Sequence, residues 1–120
     1  MLIGRNPVRY DLCRDTVTVY HKDGETIKRT VYGSAFLEFK KNINIEKTGS
    51  QEVNSFLLVI PCGTQVVFPG DKVVRGTGPE ISTREEWAAF IPAKVPQMGV
   101  VKNVDVRYWN GNIVHVEAGG

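Results

Sequence analysis

Short runs of β-branched and polar residues recur along this chain at intervals of roughly ten residues, a pattern that predicts strands rather than helices. Thr16-Val17-Thr18-Val19-Tyr20 alternates, residues 26–32 form a second β-rich run, and Lys22-Asp23-Gly24-Glu25 between them supplies Asp-Gly turn chemistry. An early hairpin is expected there. Further on, Ala35, Leu37, Phe39, Ile43 and Ile45 share one face of an extended chain while Glu38, Lys40, Asn42, Asn44 and Glu46 occupy the other, with Phe36 and Lys41 out of step. Lys47-Thr48-Gly49-Ser50-Gln51-Glu52 reads as a polar loop. Phe56-Leu57-Leu58-Val59-Ile60, an unbroken apolar run between Ser55 and Pro61, reads as a strand covered on both faces. In residues 66–76 two β-branched runs flank Pro69-Gly70-Asp71, three residues suited to a turn.

The last strand pair permits a sharper expectation, because the loop length around Asn110-Gly111 sets the cross-strand partners. A two-residue loop places Val106 opposite His115 and Asp105 opposite Val116, mixing polar with apolar. A three-residue loop, Asn110-Gly111-Asn112, aligns Val106 with Val116 and Tyr108 with Val114, and lines up Asp105, Arg107, His115 and Glu117 on the opposite face. The three-residue loop is therefore expected. Trp109 and Ile113 then flank the turn on the polar face, where they could meet a neighbour.

One helix is conceivable. Ser82 and Thr83 are both N-cap candidates with a Glu three residues on, and acidic residues follow at once. Pro92 would end such a helix early, and residues 87–91 suit a strand equally well, so both forms stay open over 84–91. Residues 92–99, with two prolines, read as a loop. The whole pattern predicts an all-β, mainly antiparallel chain: a small β-barrel or sandwich with at most one short helix and long loops, a single domain over 1–120 in which 1–14 form an N-terminal arm.

Composition narrows the functional classes. At 120 residues one core is feasible, and 15 Lys+Arg against 13 Asp+Glu leave a net charge of only +2, too balanced to predict strong nonspecific affinity for nucleic acid. No apolar run reaches the roughly 20 residues that span a bilayer, and Met-Leu-Ile-Gly-Arg at the start lacks a signal-peptide core, so no membrane association is expected. Cys13 and Cys62 belong to no Cys-x-x-Cys or Cys/His cluster and read as small buried hydrophobes.

The residues with reactive side chains form no recognised catalytic or metal motif. His21 and His115 lie near no second ligand at a metal spacing, Ser34 in Gly33-Ser34-Ala35 lacks the flanks of a nucleophile elbow, and Gly76-Thr77-Gly78 lacks the Gly-Lys-Ser/Thr ending of a phosphate loop. Neither a catalytic residue, a metal site nor a cofactor is expected, and the chain is not read as an enzyme. Lys40, Lys41 and Lys47 cluster beside Thr48, Gly49 and Ser50. A solvated strand end explains them most simply, and contact with nucleic acid or an acidic partner is the alternative.

Taken in order, Val17-Thr18-Val19-Tyr20, Arg29-Thr30-Val31-Tyr32-Gly33, Phe56-Leu57-Leu58-Val59-Ile60-Pro61 and Pro69-Gly70-Asp71-Lys72-Val73-Val74-Arg75-Gly76 resemble a family of small proteins encoded in the head-to-tail gene cluster of tailed bacteriophages and prophages. The likeness extends to the closing hairpin over 104–117, although His115-Val116-Glu117 lacks the Trp that family carries near its end. Such proteins are minor capsid or head-tail connector proteins. The resemblance implies a head-completion or stopper-type β-barrel, assembled in the bacterial host cytoplasm, that forms a homo-oligomeric ring in the virion neck between portal or adaptor and tail proteins and helps retain packaged DNA. It makes 40–54 the candidate channel loop, with Lys40, Lys41 and Lys47 near DNA phosphates, and Trp87, Phe90 and Trp109 candidate contacts with other subunits or partners. For each Trp, core packing is the simpler reading. A stand-alone nucleic-acid-binding barrel, or a tail-terminator-like virion protein, is the alternative.

Overall fold

The computed structural model describes residues 10–46 and 49–120, with side chains outside 41–54. Its elements in chain order are β1 (Asp15–Asp23), β2 (Thr26–Glu46), β3 (Gly49–Pro61), β4 (Lys72–Arg75), α1 (Arg84–Ala89), β5 (Met98–Val100), β6 (Asn103–Trp109) and β7 (Asn112–Gly119). All seven strands join one antiparallel sheet in the order β5-β4-β1-β2-β3-β7-β6. The connectivity dictates its shape. Only Val101 and Lys102 link β5, at one edge, to β6, at the other, and three Cα steps reach at most about 11 Å. The sheet must curl until its edges approach, and it forms a half-barrel. Hydrogen bonds fix the join: Gly70 N–H donates to Val101 O, Val101 N–H to Asp71 O and Lys102 N–H to Gly119 O, each at 2.8 Å.

β2 serves both halves of the half-barrel. Its first part pairs with β1 as far as Ala35, and from Phe36 onward it pairs with β3. At the changeover Asp15 pairs with Ala35 but Val17 with Tyr32, so β2 carries one residue more than its partner across Gly33-Ser34. That extra residue is a bulge, the ordinary device for bending a strand, and it places Gly33-Ser34 inside β2. Beyond it β1 no longer lies alongside, and side chains take over the ladder: the Asp15 carboxylate accepts from Leu37 N–H at 3.0 Å and Arg75 donates to Leu37 O at 2.7 Å. Arg75 also pairs with Asp15 at 3.2 Å.

Alternation along the strands sorts the apolar residues into two clusters. Val17, Val19, Leu37, Leu58, Ile60, Val73 and Val116 meet on the concave face. Tyr20, Val74, Ile81, Phe90 and Met98 form the second cluster, where α1 and its flanks cover the convex face of β1, β4 and β5. The rings of Tyr20 and Phe90 meet edge-on at 4.8 Å, and fully buried Thr18 on this face donates to Gly76 O and accepts from Gly78 N–H.

Several expectations are corrected. The final hairpin has a two-residue turn, Asn110 and Gly111, both at positive φ (51° and 79°), with Trp109 opposite Asn112 and Tyr108 opposite Ile113 rather than Val114. A one-residue bulge in β7 at Val114 then restores Val106 opposite Val116 and Asp105 opposite Glu117. From Arg107 back to Asp105 the polar and apolar faces match as expected, through a different device, but Ile113 pairs with Tyr108 and so shares its face rather than the polar face of Trp109. Residues 49–52 belong to β3 and not to a loop, pairing with 43–46. The run 56–60 is covered on one face only: Phe56, Leu58 and Ile60 are buried, Val59 is half-buried and Leu57 is exposed. The ambiguous segment is helical, held by a full capping box in which Thr83 Oγ1 accepts from Glu86 N–H and Glu86 accepts from Thr83 N–H. Met98 and Gly99, placed in a loop, start β5.

Candidate functional site

The Pro69-Gly70-Asp71 cassette builds a type II turn. Asp71 N–H donates to Phe68 O at 3.1 Å and Gly70 takes φ +94°, which its missing Cβ permits. The Asp71 side chain is 2% exposed, yet fully engaged: one oxygen accepts from Phe68 N–H at 2.9 Å, and the other meets His21 Nδ1 at 2.6 Å. His21, about two-fifths exposed, opens on a cleft of about 260 Å³ that is also lined by Val19, Lys28, Thr30, Tyr32 and Phe68. Burial holds the Tyr32 phenol above its usual pKa, so it remains a neutral hydroxyl. The pair was missed because 50 residues separate His21 from Asp71; the Asp of a Pro-Gly-Asp turn was the only local signal.

A second polar group lies on the outer face of β6 and β7. His115, 5% exposed, meets the Tyr10 hydroxyl through Nδ1 at 2.9 Å and donates from Nε2 to Glu117 at 2.8 Å. Arg107 donates to Glu117 at 3.2 Å and to Asp105 at 3.3 Å. The His115 bond, aided by nearby Arg107, holds the Glu117 carboxyl below its usual pKa against the opposing effect of burial. The expected polar face is real, but Tyr10 covers part of it, so the lead-in segment fastens onto β7.

The residues proposed as site candidates scatter. Exposed Lys40 stands where β2 passes the sheet body. The backbone of Lys41, Gly49 and Ser50 is in the β2–β3 ladder, while Lys47 and Thr48 lie outside the described residues. Phe90 is buried in the convex cluster, which occupies its ring within the chain. Trp87 packs on that cluster, and its ring and carbonyl receive the Lys72 ammonium, at 4.4 Å from the ring centroid and 2.5 Å from the oxygen. Burial, then Lys22, lowers the Lys72 pKa. Trp109 is half-buried beside the turn. Cys13 and Cys62 are half-buried and unbridged, with both thiol pKa values raised chiefly by burial.

Two backbone features have no further strand alongside them among the described residues. Residues 41–46 and 49–54 pair with each other, whereas β1 stops at Ala35 and β7 runs beside only residues 57–61. They form a two-stranded ribbon continuing past the sheet. β6 is an edge strand: among the described residues no strand pairs with its outer side.

Residues 12–120 match the model of a family described as a family of unknown function, DUF6751. The chain belongs to that family. The match takes in every strand and the helix and starts just after Tyr10. No curated protein and no solved structure matches the chain. Among the described residues no group of three or more His, Cys, Asp or Glu could hold a metal ion, and no helix is long and apolar enough to cross a membrane.

Proposed function

We propose that this family member is a structural connector of a tailed-phage particle, a head-completion or stopper-type protein that assembles as a ring in the neck between portal or adaptor and tail. The β2–β3 ribbon is the observation that carries this reading. Its six rungs, from Lys41↔Asn54 to Glu46↔Gly49, extend about 20 Å at the usual rise per residue. A lone two-stranded ribbon is marginal in water, whereas neighbours in a ring would give it further partners. The curled β half-barrel and the resemblance carried by residues 17–20, 29–33, 56–61 and 69–76 support the same reading. In it the ribbon reaches toward the channel, and Lys40, Lys41 and Lys47 supply positive charge for packaged DNA.

The test is quantitative mass spectrometry of purified particles from an induced source culture. A copy number close to that of the portal protein is the expected result, and a chain whose residues 41–54 are replaced by Asn-Gly should fold but fail to enter particles. Absence of the intact chain from particles, with all of it left in the lysate, overturns the connector reading. Salt-sensitive binding of that soluble chain to DNA would then favour a stand-alone nucleic-acid-binding barrel.

A further inference from the structure

The outer edge of β6, which no strand covers among the described residues, carries a charge pattern that fits itself. Asp105 and Arg107 lie two residues apart on the outer face, 70% and 53% exposed, with Val106 between them on the other face. When two copies of one strand pair antiparallel about a two-fold axis, the partners' residue numbers have a constant sum. Centred on Val106, the register puts Asp105 of each copy opposite Arg107 of the other. The same register sets Val104, half-buried, opposite Tyr108, a ring left 63% exposed in the single chain. Both charge pairs are attractive, an exposed aromatic gains an apolar partner, and the unpaired N–H and C=O groups of the edge find a ladder.

We infer that the free protein forms a two-fold dimer by antiparallel pairing of β6 with β6 of a second copy, centred on Val106. The occupant of this edge is a second copy of this chain because the strand's charge order is self-complementary in this register. Shifting one strand by two residues moves Asp105 away from Arg107 and forfeits both ion pairs. Arg107 already contacts Asp105 and Glu117 of its own chain, so its guanidinium is held in place beside the edge before the partner arrives. A two-fold pair is not the head-to-tail contact of a ring. The inference therefore goes beyond the connector reading and describes the chain before assembly, when an uncovered seven-residue edge invites uncontrolled pairing.

Sedimentation equilibrium on the full chain tests it through charge exchange. The wild type should dimerise. Asp105→Arg and Arg107→Asp should each place like charges opposite at both ends and raise the dimer dissociation constant by about tenfold or more. The double exchange D105R/R107D should restore dimerisation. Mixing the two single variants should also produce a heterodimer, because each then faces opposite charges at both positions; this rescue separates lost pairing from lost folding. A wild type that stays monomeric at all accessible concentrations, single variants that dimerise as wild type does, or two single variants that fold yet fail to pair when mixed would each overturn the inference. Particle incorporation is read separately, so failure here leaves the connector test unaffected.

Discussion

Replacing Asp71 with Ala removes the acceptor for two hydrogen bonds from a position that is 2% exposed. The Phe68 N–H of the turn loses its side-chain partner, at a cost of about 1–3 kcal/mol if it stays buried, and the bond to His21, involving a carboxylate, adds about 1–2 kcal/mol after allowance for the exposure of the imidazole. The sum, about 3 kcal/mol, is a large share of the roughly 5–15 kcal/mol that holds a domain together, and corresponds to roughly 10–15 °C in Tm for a chain of this size. His21→Ala alone should cost about 1–2 kcal/mol, because the carboxylate keeps Phe68 N–H. Urea unfolding of the wild type, both single variants and the double variant, followed by fluorescence of Trp87 and Trp109, gives the coupling. A value of about 1–2 kcal/mol is expected. Additive losses, or an Asp71→Ala variant within about 0.5 kcal/mol of wild type, would show that the pair does not hold the turn and that the reasoning from burial is wrong.

Glu117 sets an acid limit: its folded pKa lies below the ordinary 4.5, so its contribution is complete above that value and is lost as pH falls through the folded pKa. Wild type should therefore lose stability more steeply than Glu117→Gln below about pH 4.5, as measured by urea midpoints across pH. Gly99→Ala should be strongly destabilising, since an added Cβ would run into the Phe56 ring, and thermal unfolding should show a loss of about 1–3 kcal/mol, with Phe56→Leu in the same chain recovering part of it. Thr83→Ala removes the N-cap of a six-residue helix whose capping box is complete and should cost about 1 kcal/mol by the same unfolding assay. Cys13 and Cys62, with pKa values raised by burial, should react with a thiol reagent at neutral pH more slowly than a free cysteine, and urea should abolish the difference.

Local chemistry made much of this protein legible in its residues. Period-two alternation located β1 and much of β2, Asp-Gly and Asn-Gly marked two hairpin turns, and the Pro-Gly-Asp order fixed a type II turn, since each depends on a few neighbouring φ/ψ choices. Thr83 and Glu86 likewise carried the helix signal, but could not outweigh the strand-like residues 87–91 until Phe90 found Tyr20 across the convex face. Tertiary structure decided what depends on distant pairing. The bulge in β7 supplied the register assigned to a longer turn, because burial of Val116 fixes which side chain faces the core whatever the loop does. The extension of β3 through residues 49–52 followed from a long partner strand to pair with, and polar residues gave no sign of it. The His21–Asp71 and Tyr10–His115 pairs join residues 50 and 105 positions apart. A sequence pattern reports which face a residue takes; only the curl of the sheet, imposed by the two-residue link between its edges, decides which faces meet.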